Sequence, residues 1–345
     1  MRISVCIPQY NRCAHLLVAL ESIRAQTYGN VEVVVSDDGS TDESRTAIPE
    51  YLARSGMNYQ YIQQEKNLGY DANLRAALAG ATGEYLFILG NDDVIHAPTT
   101  LAEIATHLKE SRPDLAIGNV ADARTHEVAM RVTKTRSLAG SPEVALTMFR
   151  ALSCVTGLIF SRDAFLRHNT SRYDGSIFVQ MYLGSAIIAS GGRLLTIAST
   201  IASTGTDVGA GHANSYIDTL PGHRGNIMPS TGGLDEVGRV VCEAIWKYVP
   251  PARRSSITIS VFSQLLAFSY AYWLYDYRHN GAPWAAFNLA LGCAPPRLLR
   301  KTDRSVRASA AIAPIYLGAT SSMLVPLPIL DRLKAAVRSY SIRNR

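Results

Sequence analysis

Glu84-Tyr-Leu-Phe-Ile-Leu-Gly-Asn-Asp-Asp93 joins five consecutive large apolar residues, Tyr85 to Leu89, to an amide and two adjacent carboxylates. An unbroken apolar run of this length suits a strand covered on both faces, as in a parallel sheet; a half-exposed strand would alternate. Asn91, Asp92 and Asp93 then fall where the strand leaves the sheet. Ligands of open α/β sheets bind beyond the carboxyl ends of the strands, so two acids there are placed to hold a hard cation or a polyhydroxyl ligand. The same residues also suit an Asx-type turn that caps the next helix. This segment alone does not choose between the two.

Working outward, Arg2 to Pro8 reads as a buried strand, and Ala14 to Gln26 carries Leu16, Leu17, Leu20 and Ile23 at helical spacing. Val31 to Ser36 is a second strand, ending in Asp37-Asp-Gly-Ser-Thr-Asp42, with a helix expected over Glu43 to Ser55. Tyr59 to Gln63 is a third strand and Asp71 to Ala81 a helix that leads into the opening strand. Strict alternation at these lengths predicts an α/β fold with a doubly wound, mostly parallel sheet and helices on both faces. Beyond Asp93 we expect a helix over Thr99 to Ser111 and strands at Leu115 to Asn119 and Cys154 to Ser161. The Gly- and Ser-rich stretch from Ser203 to Gly233 reads as long loops holding Asp207, His212, His223 and Arg224. Those histidines are isolated and lack metal-ligand spacing.

From Glu236 onward strand signals vanish and the chain reads as helical and apolar, interrupted by proline. Ile257 to Tyr275 approaches membrane-span length, but Ser260, Ser263, Gln264, Ser269 and its aromatics favour a helix lying in an interface over a spanning one. Residues 297 to 345 carry ten Lys or Arg against two Asp, so of the net charge of +6 this tail holds +8, and residues 1 to 296 stand at −2. Basic residues interleaved with apolar ones point to an anionic membrane surface rather than nucleic acid. Five dispersed cysteines without a Cys-x-x-Cys pair argue against a disulfide framework and a zinc knuckle. The apolar run Ile3 to Ile7 is too short for a signal peptide. The expected setting is the reducing cytoplasm, peripheral to the inner face of the cytoplasmic membrane. The expected domains are 1–225 and 226–345, the latter a helical, membrane-associating region.

Three polar clusters close three strands: Pro8-Gln-Tyr-Asn-Arg12, Asp37-Asp38 and Asn91-Asp92-Asp93. In a doubly wound sheet such ends converge on one crevice. The first strand is not followed by Gly-x-Gly-x-x-Gly, and the chain contains no Gly-x-x-x-x-Gly-Lys-Ser/Thr, so dinucleotide and P-loop sites are set aside. What remains is a nucleotide pocket built from carboxylates and a metal.

The chain resembles the family 2 glycosyltransferases of GT-A fold, through Ile3 to Arg12, Val31 to Asp42, Asn67-Leu-Gly69 and Gly83 to Asp93 in family order. The wording of Asn67 to Asn73 and the Gly-Asn-Asp-Asp ending most resemble the abequosyltransferase-like branch that builds bacterial O-antigen. The resemblance implies transfer of a sugar from a nucleotide-diphosphate donor to a saccharide acceptor, with inversion. The basic, apolar tail fits a polyprenyl-diphosphate-linked acceptor. It further implies that Tyr10 stacks on the base, that Asp38 with Asp37 binds base or ribose, and that Pro8, Asn11, Arg12, Asn67, Gly69 and Asp71 line the donor pocket. Arg75 would approach the phosphates, Asn91 and Asp92 would occupy the DxD-like site, and Asp93 would support that loop or contact the sugar. Asp92 would hold the Mn2+ or Mg2+ that neutralises the diphosphate leaving group.

Two departures stand out: Gly90 occupies a position where many relatives carry Asp, and Gln180 stands near where the general base is expected. The candidate bases are Asp174, the nearest carboxylate, and Asp207 in the loop. A sugar nucleotidyltransferase is the rival enzyme reading, but it would want a glycine-rich, lysine-bearing loop after the first strand. A catalytically inactive saccharide-binding protein of the same fold is the non-enzyme reading, favoured by Gly90 and Gln180.

Overall fold

The computed structural model describes residues 1–206 and 233–332. They fall into two compact units, Met1–His212 and Ala213–Arg345. The boundary expected at 225 lies outside the described residues, as do Asp207, His212, His223 and Arg224.

The first unit alternates as expected through β1 (Ile3–Gln9), α1 (Cys13–Arg24), β2 (Val31–Asp37), α2 (Ser44–Ser55), β3 (Asn58–Gln63), α3 (Tyr70–Gly80) and β4 (Tyr85–Ile88). It continues through β5 (Val94–Ile95), α4 (Thr100–Ser111), β6 (Leu115–Asp122), β7 (Val128–Ala129), β8 (Arg136–Leu138) and α5 (Pro142–Met148). It ends with β9 (Leu158–Ser161), α6 (Arg162–His168), α7 (Val179–Ala189) and β10 (Leu194–Thr204). One sheet runs in the order β3-β2-β1-β4-β9-β6-β10-β5, with β7 and β8 attached to β6 and β10. The pairs β3–β2, β2–β1, β1–β4 and β6–β10 are parallel; β9 is antiparallel to both β4 and β6, so β4 and β6 point the same way across it.

Alternation along β1 explains the layers. Ile3, Val5 and Ile7 join one core with Leu16 and Leu20 of α1, Ile48 and Leu52 of α2, and Leu101 and Ile104 of α4. Cys6 points to the opposite face, where α3 lies against β1 and β2 and α7 against β6. All four residues of β4 are buried, as the opening run requires, and each such apolar side chain stabilises the fold by about 1.5–3 kcal/mol. Because β1 pairs with β2 on one side and β4 on the other, the strand order reverses at β1. Its carboxyl end is the switch point at which open α/β sheets form a ligand crevice.

Three elements depart from the sequence reading. The strand expected from Cys154 begins only at Leu158 and runs antiparallel. Strand β10, eleven residues long, had no counterpart in that reading; its Ser and Thr residues and two register shifts against β6 erase the period-two pattern. Helix α7 is buried on every side, so it shows no amphipathic stripe.

In the second unit, Leu234–Trp246 buries Val237, Val240, Val241 and Ile245. Gly238 lets the Phe262 ring pass so close that a Cβ there would lie 2.2 Å from it. A single helical run, Pro251–His279, passes through a π turn at Leu265–Tyr270; by length and composition it could cross a membrane, with 44% of its apolar window buried. Helices Pro283–Gly292 and Val306–Ser321 follow.

At the end of the sheet opposite the crevice, Glu32 is 2% exposed on β2. Its carboxylate accepts from Ser4 Oγ, from Thr82 N and Oγ1 (2.8 Å each) and from Gln60 Nε2 (3.0 Å). Burial pushes its carboxyl up, and the hydrogen bonds outweigh it, leaving the group below its ordinary value. A depressed folded-state value gives stability that is present above the unfolded value of about 4.3 and is lost as pH falls through the folded one. We predict that Glu32→Leu, which strands four donors, lowers the unfolding free energy in urea at pH 7 by about 2–4 kcal/mol. The variant should also lose less stability than wild type on acidification below about pH 4. A change at pH 7 within about 0.5 kcal/mol, the usual range for surface sites, would contradict this reading.

Candidate active site

Gln9, the last residue of β1, ties the three strand ends together. Its side chain is fully buried; Nε2 donates to Ser44 Oγ at 2.8 Å and Oε1 accepts from Asn91 Nδ2 at 2.7 Å. Its carbonyl accepts from the Asp38 amide at 2.8 Å and from Asn73 Nδ2 at 3.0 Å. The Pro8-to-Arg12, Asp37-Asp38 and Asn91-to-Asp93 clusters are thus brought to one place. The sequence reading quoted Gln9 without giving it a role.

After Gln9 the chain takes two left-handed residues in succession, Asn11 (φ 54°) and Arg12 (φ 62°), before α1 begins. Such conformations cost non-glycine residues roughly 1–2 kcal/mol each, and the loop is held against that cost. The Asn11 amide donates to Ser40 Oγ and its Oδ1 accepts from the Thr41 amide, both at 2.8 Å. Arg12 is directed at the acidic cluster, where its Nη1 meets Asp92 Oδ2 at 2.7 Å. Its Nη2 is buried with no acceptor. Tyr10 and Pro8 remain partly exposed beside it.

The second strand end is mainly architectural. Asp37 is fully buried; one oxygen accepts from the Ser40 amide and the other from the Tyr61 hydroxyl. It therefore braces the turn with both oxygens. Asp38 accepts from the Leu68 amide at 2.7 Å and the Gly69 amide at 3.0 Å, fastening the Asn67-Leu-Gly loop to β2. Burial is the main reason its carboxyl lies above the usual range. Gly39 (φ 72°) has Lys66 backbone 2.9 Å from where a Cβ would sit, so only glycine permits this approach. Asn67 is exposed, with its Oδ1 on the Gly69 amide at 2.9 Å.

Asp71 is engaged within the protein. It is 1% exposed, and its oxygens accept from the amides of Ile177 (2.6 Å) and Val179 (3.0 Å), so it caps α7 instead of facing a nucleotide. Gln180, in the first turn of α7, is buried with its Oε1 unpartnered. Arg75 and Asp174 are engaged with each other: Nε meets Oδ1 at 2.8 Å and Nη2 pairs with Oδ2. Both oxygens of Asp174 are thereby occupied by the Arg75 guanidinium. Asp207, the other candidate, lies outside the described residues.

At the third strand end, Asp93 turns inward. Its Oδ2 accepts from Thr156 Oγ1, which itself accepts from the Gly90 amide at 2.9 Å, and its Oδ1 accepts from the Gly205 amide at 3.2 Å. Burial, followed by the neighbouring Asp92, pushes its carboxyl up to about 7. This fold accounts for Gly90: a Cβ there would lie 2.6 Å from Asp93 Oδ2 and 3.2 Å from Thr156 Oγ1. The space that a side chain at position 90 would take is filled by Asp93. Beneath it Arg131 donates to the carbonyls of Cys154 (2.9 Å), Thr156 (2.8 Å) and Gly118, and burial pushes its guanidinium down. Thr156 and Arg131 carried no sequence signal, because their partners are distant in the chain.

Asp92 alone turns outward: 29% of its side chain is exposed, and its Oδ1 makes no described hydrogen bond. Its carbonyl accepts from the Thr206 hydroxyl at 2.8 Å, so the end of β10 rests on this turn. Among the described residues no group of three His, Cys, Asp or Glu could enclose a metal. One outward carboxylate with an open oxygen does fit a hard cation completed by phosphate oxygens, although not an all-protein cage.

Comparison with known proteins places this geometry. Residues 4–167 match the glycosyl transferase family 2. Abequosyltransferase RfbV of Salmonella typhimurium is 30% identical over 197 residues, 54% of this chain and 58% of that protein. A PGL/p-HBAD biosynthesis glycosyltransferase of Mycobacterium tuberculosis is 32% identical over 164 residues, 47% of this chain and 60% of that one. The chain thus spans less than two thirds of either relative. Among solved structures, S. aureus TarS 1-349 in complex with UDP aligns at a TM-score of 0.62 with 18% identity, covering 93% of this chain and 91% of that one. The mannosyltransferase PcManGT from Pyrobaculum calidifontis, in complex with GDP-Man and Mn2+, aligns at 0.50 with 20% identity, covering 99% and 86%. At these identities the structural likeness speaks to the fold, and the fold is the expected GT-A arrangement. Residues 4–167, which carry Arg12 and Asp92 at the switch point of the sheet, are thus similar to the family 2 glycosyltransferases.

Proposed function

We propose that this chain transfers a sugar from a nucleotide-diphosphate donor to a hydroxyl of a saccharide acceptor in bacterial surface polysaccharide or O-antigen synthesis. The observation that carries this reading is the convergence of three strand ends on one crevice, with a cation, Arg12, and an outward carboxylate, Asp92, at its centre. In it, Tyr10 stacks on the base, Asn67 and Gly69 border the ribose, and Asn91 and Asp93 hold the turn that presents Asp92. A Mn2+ or Mg2+ ion on Asp92 would neutralise charge on the departing diphosphate. The acceptor oxygen attacks the anomeric carbon as the bond to the diphosphate breaks, with inversion, and its proton passes to a carboxylate. Asp174 is engaged by Arg75, so we assign that role to Asp207, which follows the Gly205-Thr206 pair bonded to Asp93 and Asp92.

We further propose that the second unit rests on the anionic inner face of the cytoplasmic membrane, where a polyprenyl-diphosphate-linked acceptor would be found. No charged residue occurs between Gly281 and Pro296. Within this stretch, helix Pro283–Gly292 buries Ala286, Leu289 and Ala290 and still exposes Trp284 (77%), Phe287 and Leu291. Exposed Arg297, Arg300, Lys301, Arg304 and Arg307 follow it. An apolar helix with an aromatic face beside a cationic segment has the composition of an interfacial anchor.

Two measurements test these readings. Purified protein should release nucleoside diphosphate from a sugar nucleotide, and Asp92→Ala should lower kcat by about a hundredfold or more, the scale of losing one charge-stabilising group. Failure to turn over any donor in a panel covering the common bases would instead support the inactive, saccharide-binding reading. Co-sedimentation with phosphatidylglycerol vesicles should be strong in wild type and reduced about tenfold or more in the Trp284→Glu, Phe287→Glu double variant. Equal binding by both proteins would remove helix 283–292 as the anchor.

A further inference from the structure

We infer that Arg12 is a gate on the cation site: it occupies Asp92 until a donor diphosphate draws it off, so that a divalent cation binds only together with the nucleotide. The inference rests on the donor-site reading above and adds an order of binding to it.

Three observations carry it. The guanidinium lies on the carboxylate that a cation would need, with Arg12 Nη1 on Asp92 Oδ2 at 2.7 Å. A cation approaching Asp92 therefore meets a fixed positive charge at contact distance. The Asp93 carboxylate cannot stand in, because Thr156 and the Gly205 amide hold it inward. Next, Arg12 Nη2 is withdrawn from water and has no acceptor. A buried guanidinium nitrogen left unpaired is unfavourable, and an oxygen of a bound diphosphate is the group that would satisfy it. The planar fork of an arginine suits it to carboxylate and phosphate alike. Finally, the gate is aimed by backbone strain. Asn11 and Arg12 both stand in the left-handed region, with Asn11 held by Ser40 and Thr41, and this geometry directs Arg12 across to Asp92 beyond β4. Left-handed non-glycine pairs persist where the surroundings enforce them, commonly at ligand clamps.

Arriving diphosphate draws the guanidinium outward and gives Nη2 an acceptor. As it engages the guanidinium, the Nη1 contact with Asp92 weakens, and both oxygens of Asp92 would be free to hold a cation. No bond is made or broken in this step. The Asp92 carbonyl holds Thr206, so settling this turn also settles the end of β10.

The test is Mn2+ uptake by the full chain, read from the electron paramagnetic resonance of free Mn2+, with and without UDP, GDP or CDP and corrected for Mn2+ bound by nucleotide alone. Wild type should bind Mn2+ weakly by itself and about tenfold or more tighter with the matching nucleotide. Arg12→Gln should bind Mn2+ alone about tenfold tighter than wild type, so that added nucleotide raises its affinity by a smaller factor than in wild type; tenfold is the scale of one partly exposed charge contact. Arg12→Lys keeps a cation on Asp92 without the fork, so it should exclude Mn2+ as wild type does while binding nucleotide more weakly in EDTA. Asp92→Asn should take up no Mn2+ in any state. Equal Mn2+ affinity of wild type and Arg12→Gln without nucleotide, with nucleotide binding intact, overturns the gate alone. Absence of nucleotide binding in every protein overturns the donor-site reading and the gate with it.

Discussion

The buried side chain of Gln9 is the constraint on which the crevice depends. A single primary amide at the end of β1 satisfies Ser44 at the start of α2 and Asn91 at the end of β4, while its own carbonyl receives Asp38 and Asn73. Parallel strands otherwise deliver their ends to the same edge of a sheet without fixing the loops beyond them. Here a network of buried polar side chains sets the separation of the three loops, and such networks specify one geometry more sharply than apolar contacts do. Asn11 and Arg12 then adopt left-handed conformations that an isolated chain would avoid.

Most acids of the crevice hold its walls. Asp37 fixes a turn, Asp38 fastens the 67–69 loop, Asp71 caps α7, Asp93 fills the space above Gly90, and Asp174 secures Arg75. Of the Asn91-to-Asp93 turn, Asp92 is the carboxylate that faces outward, and it is met by Arg12. The arrangement concentrates the chemistry of the pocket in one carboxylate and one guanidinium. That is consistent with a site in which the incoming diphosphate, carrying its own charge, completes the electrostatics.

How much of this was legible in the sequence follows from the range of each interaction. Five apolar residues running into Gly90-Asn-Asp-Asp announce a covered strand and its polar end, because burial on both faces is written locally. Strands β1 to β4 and helices α1 to α4 were readable for the same reason. Strand β10 was not, since its pairing with β6 shifts register twice and its Ser and Thr residues break the period. The Arg75–Asp174 pair spans 99 residues of chain, and the Asp93–Thr156 pair spans 63. Contacts at that range are set by topology, so the sequence suggested Asp174 as a base and left Gly90 as an anomaly. Asp93 and Thr156 supply the physical reason for Gly90.

The most direct test of the central claim, that the three strand ends form one donor-binding crevice, is amide hydrogen exchange of the full chain with and without a saturating nucleoside diphosphate. The account predicts slowed exchange together at residues 9–12, 38–41, 67–69 and 91–93, with the sheet end around Glu32 and Thr82 unchanged. Bound nucleotide that leaves those four segments at their free rates, or protects residues elsewhere in the chain instead, would contradict it.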